Sequence, residues 1–345
     1  MIDIRQLRYF VAIAEQGSFS RAAEFLRVAQ PALSLHVRNM EADLGSPLLF
    51  RSPRGVEPTE AGTILLRHAR TILDQLVVAE EEIRGHQNDP AGEVRLGLPG
   101  TISQILAVPL ITALHLRHPR IKLRIAEAMS GYVLDWMREG RVDLSVLYSD
   151  AAEHGLRSEP ILQEELRFFG APALARRDGL PAAGQAVAFA EALRMPLVLP
   201  GEGHGLRDLI KRHAMARGAQ VATIIDVDSY VNIKALVAEG LGYSLLPENA
   251  IAEEIAAGKL VGWPVVEPRI RRSVYLSHAT DRPLTNAVSA VMNIARDTLR
   301  DLARSRRWIG AALISEAAGT GDAGTDGTKT RAAAPAADGA GRARA

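Results

Sequence analysis

Over the first sixty residues, apolar side chains recur at helical spacing in three short bursts. Ile4, Leu7, Val11 and Ala14 share one side of a first helix, which breaks at Gly17. A second helix is expected over roughly Ser20 to Leu26, with Ser18 or Ser20 as its cap, because a hydroxyl there accepts from the unpaired N–H groups of the first turn. A third opens near Ala29 with Pro31 in its first turn and places Leu33, Val37, Met40 and Leu44 on one stripe. Its opposite stripe carries Pro31, Ser34, Leu35 and Arg38, and a leucine on that side is more than a merely solvated face requires.

After residue 47 the pattern shortens. In "PLLFRSPRGVEPT" two apolar runs, Leu48 to Arg51 and Val56 to Pro58, flank a tip of Ser52, Pro53, Arg54 and Gly55, which predicts a hairpin. A helix pair at about 19–38 followed by a hairpin is a winged helix-turn-helix, placed at 2–59. From Thr59, an N-cap position, a long helix runs to about Arg84 with Leu65, Ala69, Ile72, Leu76, Ala79 and Ile83 spaced 4-3-4-3-4. Such a seam predicts pairing with the same helix of a second copy, the alternative being packing on its own domain. "GHQNDPAG" then has linker composition, so 60–90 reads as a dimerisation helix and hinge.

From residue 91 period-two runs such as Val94, Leu96, Leu98 and Ile121, Leu123, Ile125 alternate with helical stretches, a βαβ rhythm. Two α/β lobes are expected within 91–304: lobe I at about 91–162 and 268–304, lobe II at about 163–267. Chain crossings near 162–166 and 265–269 make a hinge. Beyond Ile314 no large apolar side chain appears, and 315–345 is expected to be a disordered tail. The fold class is therefore multidomain, α and α/β.

Composition narrows the chemistry. With 345 residues, 47% of them hydrophobic, the chain can build two or three cores without staples. The absence of cysteine excludes disulfides, thiolate catalysis and Cys-ligated metal. The N-terminus lacks a signal-peptide core, and the longest apolar run, 105–116, is interrupted by Pro109, so a cytoplasmic protein without membrane contact is expected. A net charge of +1 does not announce nucleic acid; every cation before Lys122 is an arginine, which suits bidentate phosphate or guanine contacts but equally reflects coding bias.

A helix-turn-helix sends its second helix into the major groove. There Gln30 fits an adenine edge, Ser34 a base or phosphate, Leu35 a thymine methyl and Arg38 a phosphate or guanine, with Pro31 and Ser20 at the same surface. Arg51 and Arg54 would lie over the backbone or minor groove. Singly, each is ordinary solvated surface; as helix, turn, helix and wing they point to DNA.

In the α/β lobes, ligands gather beyond the C-terminal strand ends. Thr101 and Ser103 start one helix there and Ser130 another, with Gly201, Gly203 and His204 opposite and Asp228 and Ser229 nearby. Hydroxyls at helix N-termini favour a small anionic ligand, though each also reads as a plain cap. Phosphate-loop spacing, a G-x-S-x-G elbow and H-E-x-x-H are absent, and His115 and His118 read as helix surface rather than metal ligands. Neither catalysis, metal nor cofactor is called for.

Residues 7–62, with Ser-x-x-x-Ala-Ala at 18–23, Gln-Pro-Ala-Leu-Ser at 30–34 and Glu-x-x-Leu-Gly at 41–45, resemble the N-terminal domain of LysR-type transcriptional regulators. "RGVEPTEAG" and "GRVDLSVLY" are similar to the nitrogen-assimilation-control subgroup. Leu35 stands where that family often carries a polar or basic residue, and Met40 replaces a usual leucine. The resemblance implies a sequence-specific regulator with a dimerising linker helix and a two-lobed, periplasmic-binding-protein-like effector domain. Its effector contacts would cluster at Thr101, Ser103, Ser130 and the segment after Pro200. The partners implied are double-stranded DNA, a small-molecule effector, further copies in a homodimer or homotetramer, and RNA polymerase. Some members of the family act without an effector. The rival readings are a solute-binding module and an enzyme with a DNA-binding appendage.

Overall fold

The structure is a computed structural model that describes residues 2–53, 55–84 and 90–314; the expected tail at 315–345 lies outside them. Helix α1 (Ile4–Gln16) opens on a reciprocal cap, in which Asp3 Oδ1 accepts from Gln6 N at 2.8 Å and Gln6 Oε1 from Asp3 N at 2.9 Å. Helix α2 (Phe19–Leu26) is capped by Ser18 and not Ser20, and α3 (Gln30–Leu44) ends at Gly45 in the left-handed region. Strands β1 (Leu49–Ser52) and β2 (Gly55–Pro58) form the wing, and α4 (Glu60–Arg84) leaves it. Thr59 makes that exit: its Oγ1 accepts from Gly62 N and donates to Pro47 O. A Cβ at Gly62 would lie 2.0 Å from Leu48 O, so only glycine lets the helix start so close to the wing.

Three helices enclose the core of this unit, and the side chains that do so differ in part from those expected. Leu7, Phe10 and Ile13 of α1 meet Leu33, Val37 and Met40 of α3. Ile4 is exposed, while Val11 and Ala14 are half-buried, because the burying stripe runs through Phe10 and Ile13. Leu44 is exposed as well, since the last turn of α3 runs past the core.

The heptad seam needs a larger correction. Ala69 is fully buried in the core of the winged unit, with Leu65 packed against it, because the first turns of α4 lie on α1. The face that carries Ala69 is therefore not free to meet another helix. Farther along, Ile72 and Ile83 are exposed, and Leu76 and Ala79 are half-buried.

The α/β region opens with β3 (Gly92–Pro99), α5 (Gly100–Arg117), β4 (Ile121–Ala128), α6 (Ser130–Arg138) and β5 (Leu144–Leu147). Here β3 pairs in parallel with both β4 and β5, each reached through a helical crossover. The long strand β6 (Leu156–Gly170) is followed by α7 (Pro172–Arg177), β7 (Val187–Ala188), α8 (Phe189–Ala192), β8 (Leu197–Leu199), α9 (Gly205–Met215), β9 (Thr223–Asp226), α10 (Tyr230–Ala238) and β10 (Tyr243–Pro247). Then come α11 (Glu248–Ala256), β11 (Val261–Val266), β12 (Arg271–Ala279), α12 (Asn286–Arg304) and β13 (Ala311–Leu313), a strand beyond residue 304, where the sequence placed the end of the domain.

One sheet carries both lobes in the order β4-β3-β5-β12-β6-β10-β8-β9. Strand β6 pairs antiparallel with β12 from Leu156 to Glu165, then with β10 and β11 from Leu166 onward. The chain thus passes between lobes at Glu165–Leu166 and returns between Val266 and Arg271. Val94, Leu96 and Leu98 of β3 pack with α5 and α12 in one core; Phe168, Phe169, Tyr243 and Trp263 centre the other. Among the described residues no helix is long and apolar enough to cross a membrane.

Candidate DNA-reading face and interlobe site

With Leu33, Val37 and Met40 turned inward, helical geometry turns Gln30, Pro31, Leu35 and Arg38 outward, and all four are exposed. Ser34 is half-buried, and Gln30 Nε2 donates to its hydroxyl at 3.0 Å, one turn along. The pair presents a carbonyl oxygen and a hydroxyl on a fixed base. Leu35 is 54% exposed on the same face. No side chain at Ala29 caps α3; Pro31 brings no N–H to the first turn, and Ala32 N donates to the Ala29 carbonyl at 3.0 Å.

The wing is held to this unit by Val56 N donating to Gly17 O at 2.9 Å. Arg51 is exposed, and its guanidinium lies 4.4 Å from the Phe19 ring centroid, which restrains it beside the start of α2. Ser20 is exposed on α2, and Arg54 lies outside the described residues. Glu41, part of the Glu-x-x-Leu-Gly element, accepts from Leu48 N at 2.9 Å and ties α3 to the wing.

Between the lobes the expected site residues fall into separate groups. Thr101 is buried and bonded to Tyr148, oxygen to oxygen 2.6 Å, and is not a cap. Ser103 is buried one turn along α5. Ser130 starts α6 and faces α9 of the other lobe: a Cβ at Gly205 would lie 3.0 Å from its hydroxyl. Gly201 N donates to Asp228 Oδ1 at 2.9 Å, joining two loops of lobe II. His204 caps α9, its Nδ1 accepting from Leu206 N at 3.1 Å. That bond fixes the neutral tautomer with the proton on Nε2, which faces the Tyr230 hydroxyl at 3.0 Å. Burial, reinforced by Arg272, pushes the imidazole down to about 4, and burial raises Tyr230 to about 12.

The centre of this region was not legible in the sequence. Arg272, at the start of β12, donates from Nε to Glu164 at 2.6 Å and from Nη2 to Thr101 at 3.4 Å. The second carboxylate oxygen of Glu164 accepts from Trp308 Nε1 at 2.9 Å. Burial opposes the charge on Arg272, yet Tyr148, Glu164 and Tyr230 around it hold its guanidinium above the usual range; burial drives Tyr148 well up. Residues 101, 148, 164, 230, 272 and 308 share no motif, and only the sheet register brings them together.

A winged helix-turn-helix joined through a long helix to a two-lobed α/β domain defines a DNA-binding regulator with a ligand-binding type of second domain. The model for bacterial regulatory helix-turn-helix proteins of the lysR family matches residues 4–63, and that for the LysR substrate binding domain matches 87–300. The chain belongs to the LysR family: it is a DNA-binding transcriptional regulator with a substrate-binding domain. It is 32% identical to the nitrogen assimilation regulatory protein nac of Klebsiella aerogenes over 85% of this chain and 94% of that one. With the DNA-binding transcriptional dual regulator OxyR of Escherichia coli it shares 30% identity, over 82% and 91%. A full-length OxyR variant from Pseudomonas aeruginosa superposes with a TM-score of 0.72 at 27% identity, covering 87% of this chain and 95% of that one. These relatives are regulators, not enzymes.

Proposed function

We propose that α3 reads base edges in the major groove through Gln30, Ser34 and Leu35, with Pro31 at its entry, while Arg38, Ser20, Arg51 and Arg54 hold the backbone. The observation that carries this is the Gln30–Ser34 pair beside an exposed leucine on a helix whose other face is fully buried. Hydroxyl-radical footprinting of the full-length protein on promoter regions of its own genome tests it. Protection confined to discrete sites supports the reading; uniform protection at matched salt contradicts it. In this reading residues 2–59 are the DNA-binding unit, 60–90 the linker, 91–304 with β13 the effector domain, and the protein works in the cytoplasm, where the DNA is.

The linker pairs two copies through Ile72, Leu76, Ala79 and Ile83, which puts two reading helices on two half-sites. In the effector domain, Thr101, Ser103, Ser130, Gly201, His204 and Asp228 surround the interlobe region, and a small anion is the ligand best matched to Arg272 and the uncapped starts of α5 and α6. A second reading is a regulator of nitrogen-related genes that needs no effector. It is favoured by the name of the nac relatives and by Arg272 and Tyr148, which occupy the interlobe centre themselves. Thermal-shift screening of the full-length protein against small carboxylates and nitrogen metabolites separates the two, since a ligand of the folded state raises the melting temperature.

A further inference from the structure

Glu15 sits in the last turn of α1, where the helix dipole disfavours a carboxylate and no basic residue of that turn offsets it. Two arginines from other parts of the chain do. Glu15 Oε1 accepts from Arg70 Nη2 of the linker helix at 3.0 Å and from Arg95 Nη1 of lobe I at 2.8 Å. Arg95 is gripped in turn by Asp143, whose two oxygens accept from its Nη2, Nε and backbone N. Arg282 bridges Asp143 to Asp74 of the linker helix. Three arginines and three carboxylates thus alternate without interruption, Arg70–Glu15–Arg95–Asp143–Arg282–Asp74, and balance in charge. Two backbone carbonyls take further donors of the set: Arg70 Nη1 donates to Glu139 O at 3.1 Å and Arg282 Nη1 to Gly140 O at 3.3 Å.

The set is directional and partly buried, with Glu15 at 32%, Asp74 at 28% and Arg95 at 17% side-chain exposure on its outer side. The side chains of Arg70, Arg282 and Asp143 are 6%, 9% and 10% exposed, so salt screens them little. Fork-shaped guanidinium contacts fix angles where a hydrophobic contact would let surfaces slide. Glu15 rides on α1, which packs against the buried face of α3, and the next turn, at Gly17, holds the wing. The carboxylate is therefore rigidly coupled to the reading face.

We propose that Glu15, with Arg70 and Arg95, is a positioning residue: it fixes the attitude of the reading helix on lobe I of the same chain, and so the half-site spacing the dimer accepts. This rests on α3 being the DNA-reading helix. The test uses full-length protein and a duplex that the wild type selects from a randomised library, together with versions whose spacer is lengthened or shortened by single base pairs and one carrying a single half-site. Wild type should prefer its own spacer by about tenfold. Glu15→Gln and, independently, Arg95→Met should flatten that preference while affinity for the single half-site stays close to wild type; each leaves a buried charge short of a partner and lowers the melting temperature, so all duplexes are compared at a temperature where circular dichroism shows every variant folded.

An unchanged spacing profile in both variants would overturn the proposal, as would equal weakening on every duplex including the half-site. If the wild type selects no duplex at all, the reading of α3 falls and this inference with it.

Discussion

The guanidinium carbon of Arg272 lies 3.4 Å from the ring centroid of Tyr148, and the same arginine is ion-paired to Glu164, with side-chain exposures of 4% and 1%. A charge so far from water is tolerated only while its partners stay, because an uncompensated buried ion keeps its full desolvation penalty. Glu164→Gln should therefore lower the unfolding free energy by about 3–5 kcal/mol. Replacing both partners, Glu164→Leu with Arg272→Met, should cost less than the single change. Urea unfolding of the three proteins measures it, and a single variant within about 1 kcal/mol of wild type, a small surface effect, would show that the pair is solvated in solution.

His204 makes the pH response calculable in sign. Its folded value of about 4 lies below the ordinary 6.5, so the folded protein holds the neutral ring and the unfolded chain takes up a proton first. Stability from this group is complete above 6.5 and declines as pH falls from 6.5 towards 4, by about 3 kcal/mol in total. His204→Asn keeps an acceptor for Leu206 N but does not titrate. The difference between the wild-type and variant stability curves should slope within that window and be flat above it; parallel curves throughout would refute the assignment.

What the sequence disclosed follows from distance along the chain. Leu33, Val37 and Met40 sit on one helix, so periodicity alone finds them, and the Ser-x-x-x-Ala-Ala and Gln-Pro-Ala-Leu-Ser elements mark the reading unit within a few residues. Phe10 and Ile13 escape the same reading because an equally regular stripe, Ile4, Leu7, Val11 and Ala14, runs beside them on α1. Ala69 misleads for a deeper reason: a 4-3 repeat states that one helix face is apolar but not which surface covers it, and the first turns of α4 are covered by α1. Arg272 and Glu164 stand 108 positions apart and Arg95 and Glu15 stand 80 apart, so only the completed fold pairs them. The hydroxyls at helix starts were legible as a group, yet Thr101 bonds to Tyr148 and Ser103 packs inward, differences that follow from neighbours across the sheet.

Roles on the DNA face separate by their effect on specificity. Gln30→Ala or Ser34→Ala removes half of the bonded pair and should relax sequence preference, with about 1–3 kcal/mol of discrimination lost at the base each one reads. Arg38→Ala and Arg51→Ala should weaken specific and random duplexes alike and shallow the salt dependence. Leu35→Gln should shift preference at a single base step. Competition binding on randomised duplexes at two salt concentrations distinguishes these patterns; equal loss on all duplexes for Gln30→Ala would remove it from the base-reading set.

The linker helix gives the most direct separation of structure from assembly, because neighbouring turns of one apolar pattern have different fates. Ala69 is fully buried in its own domain, so Ala69→Asp places a charge in the core of the winged unit and should unfold it. Ile72 and Ile83, at 45% and 85% exposure, belong to no core among the described residues, so Ile72→Asp and Ile83→Asp should leave the monomer folded and break the pairing of two copies. Sedimentation velocity across a dilution series, with circular dichroism as the check on folding, reads both effects. Monomers with native helicity for Ile72→Asp, and loss of helicity for Ala69→Asp, are expected. Dimers of Ile72→Asp that persist on dilution would mean that two copies associate through another surface, and that the exposed turns of α4 face solvent in the assembly.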